Sequence, residues 1–263
     1  MSPVLSAIVV LAAIGAVCAL ILVIASKYMA VPVDERFPAI RECLPGANCG
    51  ACGYAGCDGY AQALVDGTET RTNLCVPGAS TAAAGIAAQL GVEAAEVEQK
   101  VAYVKCNGSC TVTKQKYEYA GIQDCAAAAI LFSGEWACPS SCMGCGDCAK
   151  VCPNNAIKVV DGVARIAPRL CVGCGLCAAQ CPKHIIALRS VKDATVVRCS
   201  NTEKGAKTRA ACEKGCIGCK KCEKACPTGA ITVVNNLATI DYEKCVGCKA
   251  CSEECPVGVI QRV

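Results

Sequence analysis

From Val4 to Ala25 the chain runs for 22 residues without a charge, VLSAIVVLAAIGAVCALILVIA. At 1.5 Å per residue this is long enough to cross a bilayer core of about 30 Å. A signal peptide would open on a basic residue, carry a shorter apolar stretch and end at a small-residue cleavage site. Here no Lys or Arg precedes the stretch. The first positive charges, Lys27 and Arg36, follow it, which by the positive-inside rule puts the C-terminal side in the cytoplasm. Cys18, inside the span, reads as a small apolar residue. Beyond it the pattern breaks up. Residues 27–40 are a charged linker with Pro32 and Pro38. Asp58 to Val65 is helical in pattern and ends at Gly67. Residues 79–104 read as Ala-rich helix, STAAAGIAAQL and then EAAEVEQKVAYV. Further on, two pairs of short apolar-rich strands, AIKVV with VARIA and AITVV with LATID, flank Asp161-Gly162 and Asn235-Asn236, which are hairpin turn signals.

Each hairpin sits between two copies of one phrase, Cys-x2-Cys-x2-Cys-x3-Cys-Pro, which begins at Cys142, Cys171, Cys216 and Cys245. This is the bacterial ferredoxin run for [4Fe–4S] clusters, in which the fourth Cys serves the cluster of the partner copy. Two tandem two-cluster units follow. The first assigns Cys142, Cys145 and Cys148 with Cys181, and Cys171, Cys174 and Cys177 with Cys152. The second assigns Cys216, Cys219 and Cys222 with Cys255, and Cys245, Cys248 and Cys251 with Cys226. Each unit reads as a pseudo-two-fold module of two hairpins and two short helices.

Two earlier cysteine groups are less regular. Cys49, Cys52, Cys57 and Cys75 lie in LPGANCGACGYAGC…C, where glycines let the backbone bend closely around a ligand. Zinc sites prefer two close Cys pairs separated by a longer loop. Here three Cys crowd one loop, which points to a fifth [4Fe–4S] cluster. Cys106, Cys110, Cys125 and Cys138 form a looser group, open between a sixth cluster, a zinc and plain buried thiols. This accounts for 24 of the 28 Cys, leaving Cys18, Cys43, Cys199 and Cys212. Cys199 and Cys212 are free to exchange roles with the 106–138 group.

So many cysteines would suit a disulfide-stapled secreted domain. Cluster assembly instead needs reduced thiolates, in agreement with a cytoplasmic location. Aromatic content is only 4%, so the organic core is thin and bound iron would supply much of the folding free energy. There is no P-loop and no GxGxxG between a strand and a helix, so no direct NAD or flavin binding is expected. The single His, His184, reads as a surface residue. All sixteen Cys of the four runs are in place, so no open iron site for catalysis is indicated. Between Lys192 and Lys224 nine Lys or Arg face four acids, a basic stretch suited to an acidic protein or anionic lipid. Two Phe and one Trp offer little base stacking, which argues against nucleic acid.

The order of parts (apolar span, LPGANCGACGYAGC…C, CNGSC…YEYAGIQDC, two ferredoxin units) closely resembles the B-subunit family of the Rnf (Rsx) electron-transport complexes. The likeness runs over nearly the whole chain and is most specific at Cys49–Cys75, which looks like the four-iron Fes domain of that family. The resemblance implies an α+β chain: an N-terminal transmembrane helix, a small Fes-type domain and two tandem ferredoxin-like domains. The divisions are an anchor at 1–26, a linker at 27–40, the Fes-type domain at 41–100 and a Cys-rich segment at 101–140. Unit one follows at 141–190, a basic linker at 191–214 and unit two at 215–263. It implies a single-pass subunit of the bacterial inner membrane with at least five and up to six [4Fe–4S] clusters and no catalytic site of its own. It would work inside an ion-translocating ferredoxin:NAD+ oxidoreductase. Its partners would be the other subunits, soluble reduced ferredoxin and membrane lipid. Two other classes use the same parts: an anchored donor to a redox sensor, as in the Rsx branch, and an iron–sulfur subunit of another membrane oxidoreductase.

Overall fold

The computed structural model describes the backbone of residues 3–28 and 34–263, and side chains from 11 to 26 and from 34 onward. Helix α1 (Pro3–Tyr28) is a single run of 26 residues. Its apolar side chains from Leu11 to Ile24 stand exposed. Among the described residues no helix is long and apolar enough to cross a membrane. The side chains of Val4 to Val10, the first third of the span expected at Val4–Ala25, lie outside the described residues.

The first packed unit is helical: α2 (Arg36–Glu42), α3 (Cys57–Val65) and α4 (Ala79–Leu90). Ile40, Tyr60 and Ile86 meet in its centre, each at most 1% exposed. The Tyr60 hydroxyl donates to the Arg71 carbonyl at 2.7 Å, which lets a polar tip be buried. Helix α3 starts on Cys57 with no capping side chain at Gly56; Asn48 Oδ1 accepts the Cys57 N–H at 2.9 Å instead. Gly91, in the left-handed region, ends α4. The helix expected to run on through EAAEVEQKVAYV is absent. Residues 92–99 are irregular, and β1 (Lys100–Val104) follows. Local Ala and Glu favour helix, but Val101, Ala102 and Val104 are buried in a sheet with a distant strand, and that pairing prevails.

The rest of the chain comprises α5 (Cys125–Ile130), α6 (Asp147–Lys150), β2 (Ile157–Val160), β3 (Val163–Ile166), α7 (Leu176–Gln180), β4 (Ile186–Ser190), β5 (Thr195–Val197), α8 (Gly205–Ala211), α9 (Lys221–Ala225), β6 (Ile231–Val234), β7 (Leu237–Ile240), α10 (Ala250–Glu253) and β8 (Ile260–Arg262). The strands form four antiparallel pairs: β1–β4, β2–β3, β5–β8 and β6–β7. The β2–β3 and β6–β7 hairpins turn at Asp161-Gly162 and Asn235-Asn236, with all four residues at positive φ, as a type I′ turn requires. The second pair in each unit is not a hairpin. β4 takes its partner from 100–104 and β8 takes its partner from 195–197, both upstream of the unit's first cysteine. The two ferredoxin units have separate cores, around Ile157 with Ile186 and around Ile231 with Ile260, and cysteines fill part of each.

Tyr60→Ala is expected to destabilise the 36–90 unit by about 3–5 kcal/mol, since it leaves a cavity where the ring lies. Val92→Ala, at a half-exposed position, should stay within about 0.5 kcal/mol. Anaerobic thermal unfolding of the iron-loaded protein followed by circular dichroism reads both.

Candidate iron–sulfur sites

The four cysteine loops share one backbone device. The second residue of the first gap is glycine in every copy, at φ between +65° and +77° (Gly144, Gly173, Gly218 and Gly247). Two of these positions exclude a side chain. A Cβ on Gly144 would lie 2.7 Å from the Gly162 carbonyl oxygen, and one on Gly173 would lie 2.3 Å from that of Lys100. The loop of one run therefore lies on the β2–β3 turn, and that of the next lies on the start of β1. Each loop leads into a short helix (α6, α7, α9 or α10) that carries the third cysteine. The residue before each helix is left-handed too: Gly146 and Gly175 in unit one, Lys220 and Lys249 in unit two. A left-handed backbone disfavours a side chain by about 1–2 kcal/mol. Unit two thus keeps lysines where glycine would relax the chain.

These loops gather thiols from separate stretches. Cys152, Cys171, Cys174 and Cys177 line one cavity. The Ala102 N–H donates to Cys171 Sγ and the Ala156 N–H to Cys152 Sγ, both at 3.3 Å. Cys226, Cys245, Cys248 and Cys251 line another. Around Cys222 stand Cys216, Cys255 and Cys219. Burial, and then those neighbours, push the Cys222 thiol up to about 11. Cys142, Cys148 and Cys181 line a cavity beside α6. Cys145 lies next to them, its thiol pushed up to about 12 by burial and then by Cys125. In the helical unit, burial and the nearby Cys57, Cys49 and Cys52 raise the Cys75 thiol. The loop after Cys75 meets unit one: a Cβ on Gly173 would lie 3.2 Å from Val76 Cγ1.

The 106–138 group is not brought together. Cys106 and Cys138 share a cavity with Cys199 and Cys212. Cys110 is exposed, its N–H spent on the Asp161 carbonyl. Cys125 begins α5 and faces the Cys142–Cys181 cavity, its N–H donated to Asp147 Oδ2 at 2.6 Å. The reason is local: Asp124 caps α5 through the Ala127 N–H, and that helix docks on α6, away from Cys106. Cys43 turns aside as well, its thiol on the Ala39 carbonyl at 3.3 Å. His184 is exposed.

Asp147 carries no cysteine-like signal in the sequence, yet it is buried between Cys145 and Cys148. Burial pushes its carboxyl up, but hydrogen bonds from Lys150 Nζ and the Cys125 N–H outweigh that and hold it below the usual range. Lys183 Nζ donates to the Ser133 and Pro139 carbonyls at 2.8 and 2.7 Å, and burial lowers its pKa.

Among the described residues no three His, Cys, Asp or Glu side chains converge closely enough for a single metal ion. A zinc with bonds of about 2.3 Å would draw its sulfurs to within roughly 4 Å of one another. The thiols instead surround cavities, and backbone N–H groups point at their sulfurs. All-cysteine sets of this kind fit a cuboidal iron–sulfur cluster, which holds its ligands farther apart.

Comparison with known proteins agrees with this geometry. Residues 44–77 match a family described as "Putative Fe-S cluster", and residues 141–185 and 215–259 match a "4Fe-4S dicluster domain". A second dicluster family matches 170–231, although the cavities pair the first run with the second. The chain is 38% identical over 244 residues to the B-subunit of the ion-translocating oxidoreductase complex of Methanosarcina acetivorans, covering 92% of each chain. It is 39% identical to the B-subunit of the proton-translocating ferredoxin:NAD(+) oxidoreductase complex of Clostridium ljungdahlii, covering 92% of this chain and 85% of that one. It is 40% identical to the B-subunit of the Na(+)-translocating ferredoxin:NAD(+) oxidoreductase complex of Acetobacterium woodii, covering 89% and 71%.

Gly173→Ala is expected to remove about four iron atoms per chain, because the loop must leave Lys100 and the Cys171–Cys177 thiols with it. Gly229→Ala, also left-handed but with open space around it, should lose only about 1–2 kcal/mol and no iron. Iron and acid-labile sulfide assays on both variants separate the two effects.

Proposed function

The chain belongs to the B-subunit family of ion-translocating oxidoreductase complexes, and from that premise we propose that it takes electrons from reduced ferredoxin and passes them toward NAD+ reduction coupled to Na+ or H+ movement. It is an iron–sulfur electron-transfer subunit. In this reading five [4Fe–4S] clusters are held by Cys49, Cys52, Cys57 and Cys75 and by the sixteen cysteines of the four runs. Each cluster, when bound, accepts or releases one electron with little rearrangement of its ligands.

The observation that carries the reading is the succession of thiol sets. The helical unit follows α1 in the chain, and its Val76, next to Cys75, lies against the Gly173 loop of unit one. The two sets of unit one share a single core, as do the two sets of unit two. The protein's task at each is to bury the sulfurs, point N–H groups at them and exclude water. The exposed apolar surface of α1 supports an anchor in the inner membrane with the cysteine-rich part on the cytoplasmic side. Flavin, nicotinamide and ion sites belong, in this reading, to other subunits.

Unit two is the docking end. Cys219 and Cys248 are exposed there, and so are Lys220, Lys221, Lys224 and Lys249. Glu223, among them, turns inward and accepts the Val233 N–H at 3.3 Å, so it does not pair with these lysines. Such a face steers an acidic donor.

The triple change Lys220→Gln, Lys221→Gln, Lys224→Gln is expected to slow reduction by ferredoxin roughly tenfold at low salt and to flatten the salt dependence. Stopped-flow bleaching of the visible absorbance measures this. Equal rates for both proteins at low ionic strength would remove the docking role.

A further inference from the structure

We infer that Cys106, Cys138, Cys199 and Cys212 bind a sixth [4Fe–4S] cluster, placed between the two ferredoxin units. This rests on the electron-transfer reading above but concerns a site that no family match assigns, because its ligands obey no spacing rule. Cys106 leaves the end of β1, Cys199 leaves β5, Cys212 follows α8, and Cys138 follows the extended stretch around Trp136. Residues 112–116 tie these segments together. The Lys114 N–H donates to Ala211 and the Glu213 N–H to Val112, while the Ala137 N–H donates to Lys114 and the Lys116 N–H to Glu135. That stitching draws Cys138 and Cys212 to one cavity, which Cys106 and Cys199 complete.

Three features separate this cavity from an ordinary buried-thiol core. First, all four thiols are buried, each between 7 and 8% exposed, and none is paired in a disulfide. Second, polar hydrogens already point at the sulfurs. The Cys216 N–H donates to Cys199 Sγ at 3.4 Å, the Asn201 N–H to the same sulfur at 3.5 Å, and Thr113 Oγ1 to Cys212 Sγ at 3.6 Å. Third, the lining holds Lys105, Arg198 and Lys214 and no carboxylate. Arg198 is half-buried, its guanidinium donating only to the Val104 carbonyl and the Gln261 amide oxygen. The half-buried Arg198 has no carboxylate partner among these contacts, and a four-thiolate cluster, net negative, would supply its counter-charge.

The position gives the site its role. Cys106 packs in the core of unit one with Cys142 and Cys148, and Cys199 accepts from the backbone of Cys216, the first cysteine of unit two. This set therefore adjoins a thiol set on either side. A cluster here would accept the single electron given up by the neighbouring cluster of one unit and hand it to that of the other, with no bond made or broken and no proton moved.

The test uses the full-length chain, purified anaerobically and loaded with iron and sulfide. Native mass spectrometry with iron and sulfide assays should give about 24 Fe and 24 sulfide per chain. The double variant Cys138→Ser, Cys212→Ser should fall to about 20 of each, while Cys110→Ser stays at about 24. In that double variant, ferredoxin should still bleach unit two, but bleaching of the other clusters should fall to background. About 20 Fe in the unaltered chain, or one zinc per chain lost on the double change with sulfide unaltered, would overturn the sixth cluster. In both of those cases reduction of the remaining clusters by ferredoxin would still stand as evidence for the electron-transfer reading. The count on the unaltered chain decides the matter even where the double variant fails to fold.

Discussion

Burying thiols in groups of four is the constraint on which this protein depends. A thiolate in a dry site is disfavoured twice, by lost hydration and by its neighbours. Both effects show in Cys138, Cys145 and Cys148, which burial and then adjacent sulfurs push up to about 12. Without iron these three thiols are poor acids and hold their protons. Iron that replaces those protons makes the charge tolerable, which couples metal loading to folding. The backbone N–H groups aimed at sulfur contribute the rest of the compensation.

That constraint accounts for the small elements. Helices of four or five residues have little stability of their own. Here they are the exits of loops whose shape is set by glycine contacts with backbone carbonyls. The turns of the β2–β3 and β6–β7 hairpins and the starts of β1 and β5 supply the surfaces on which those loops rest. Large side chains are few, and cysteine itself fills part of each core. Charge is distributed to suit: a carboxylate at Asp147 near one set, lysines at the corresponding edge of unit two, and unpaired cations around Cys199 and Cys212.

Much of this was legible along the chain because the chemistry is local. A run of three cysteines within seven residues declares its own loop, and Asp161-Gly162 declares its own turn. What was hidden is what distance decides. EAAEVEQKVAYV has a helical composition, yet its last residues become β1 because β4, at least 82 positions later, offers a ladder. Cys106, Cys110, Cys125 and Cys138 are neighbours in sequence only. The helix cap at Asp124 and the threading of 112–116 redistribute them, and no spacing announces that. The one sequence signal was arithmetic: Cys199 and Cys212 were left without partners.

The borrowed strand β1 has a consequence for how the protein is made. Unit one needs residues 100–104 to close its sheet, but they leave the ribosome long before β4 does. Contacts of such high sequence separation form slowly. The nascent chain therefore holds an open edge and a set of bare thiols while the 105–140 segment waits to be folded in. The helical unit is complete much earlier, so its iron can be installed first. Biogenesis then runs in one direction, from the α1 end outward, with iron and sulfide delivered to one unit at a time.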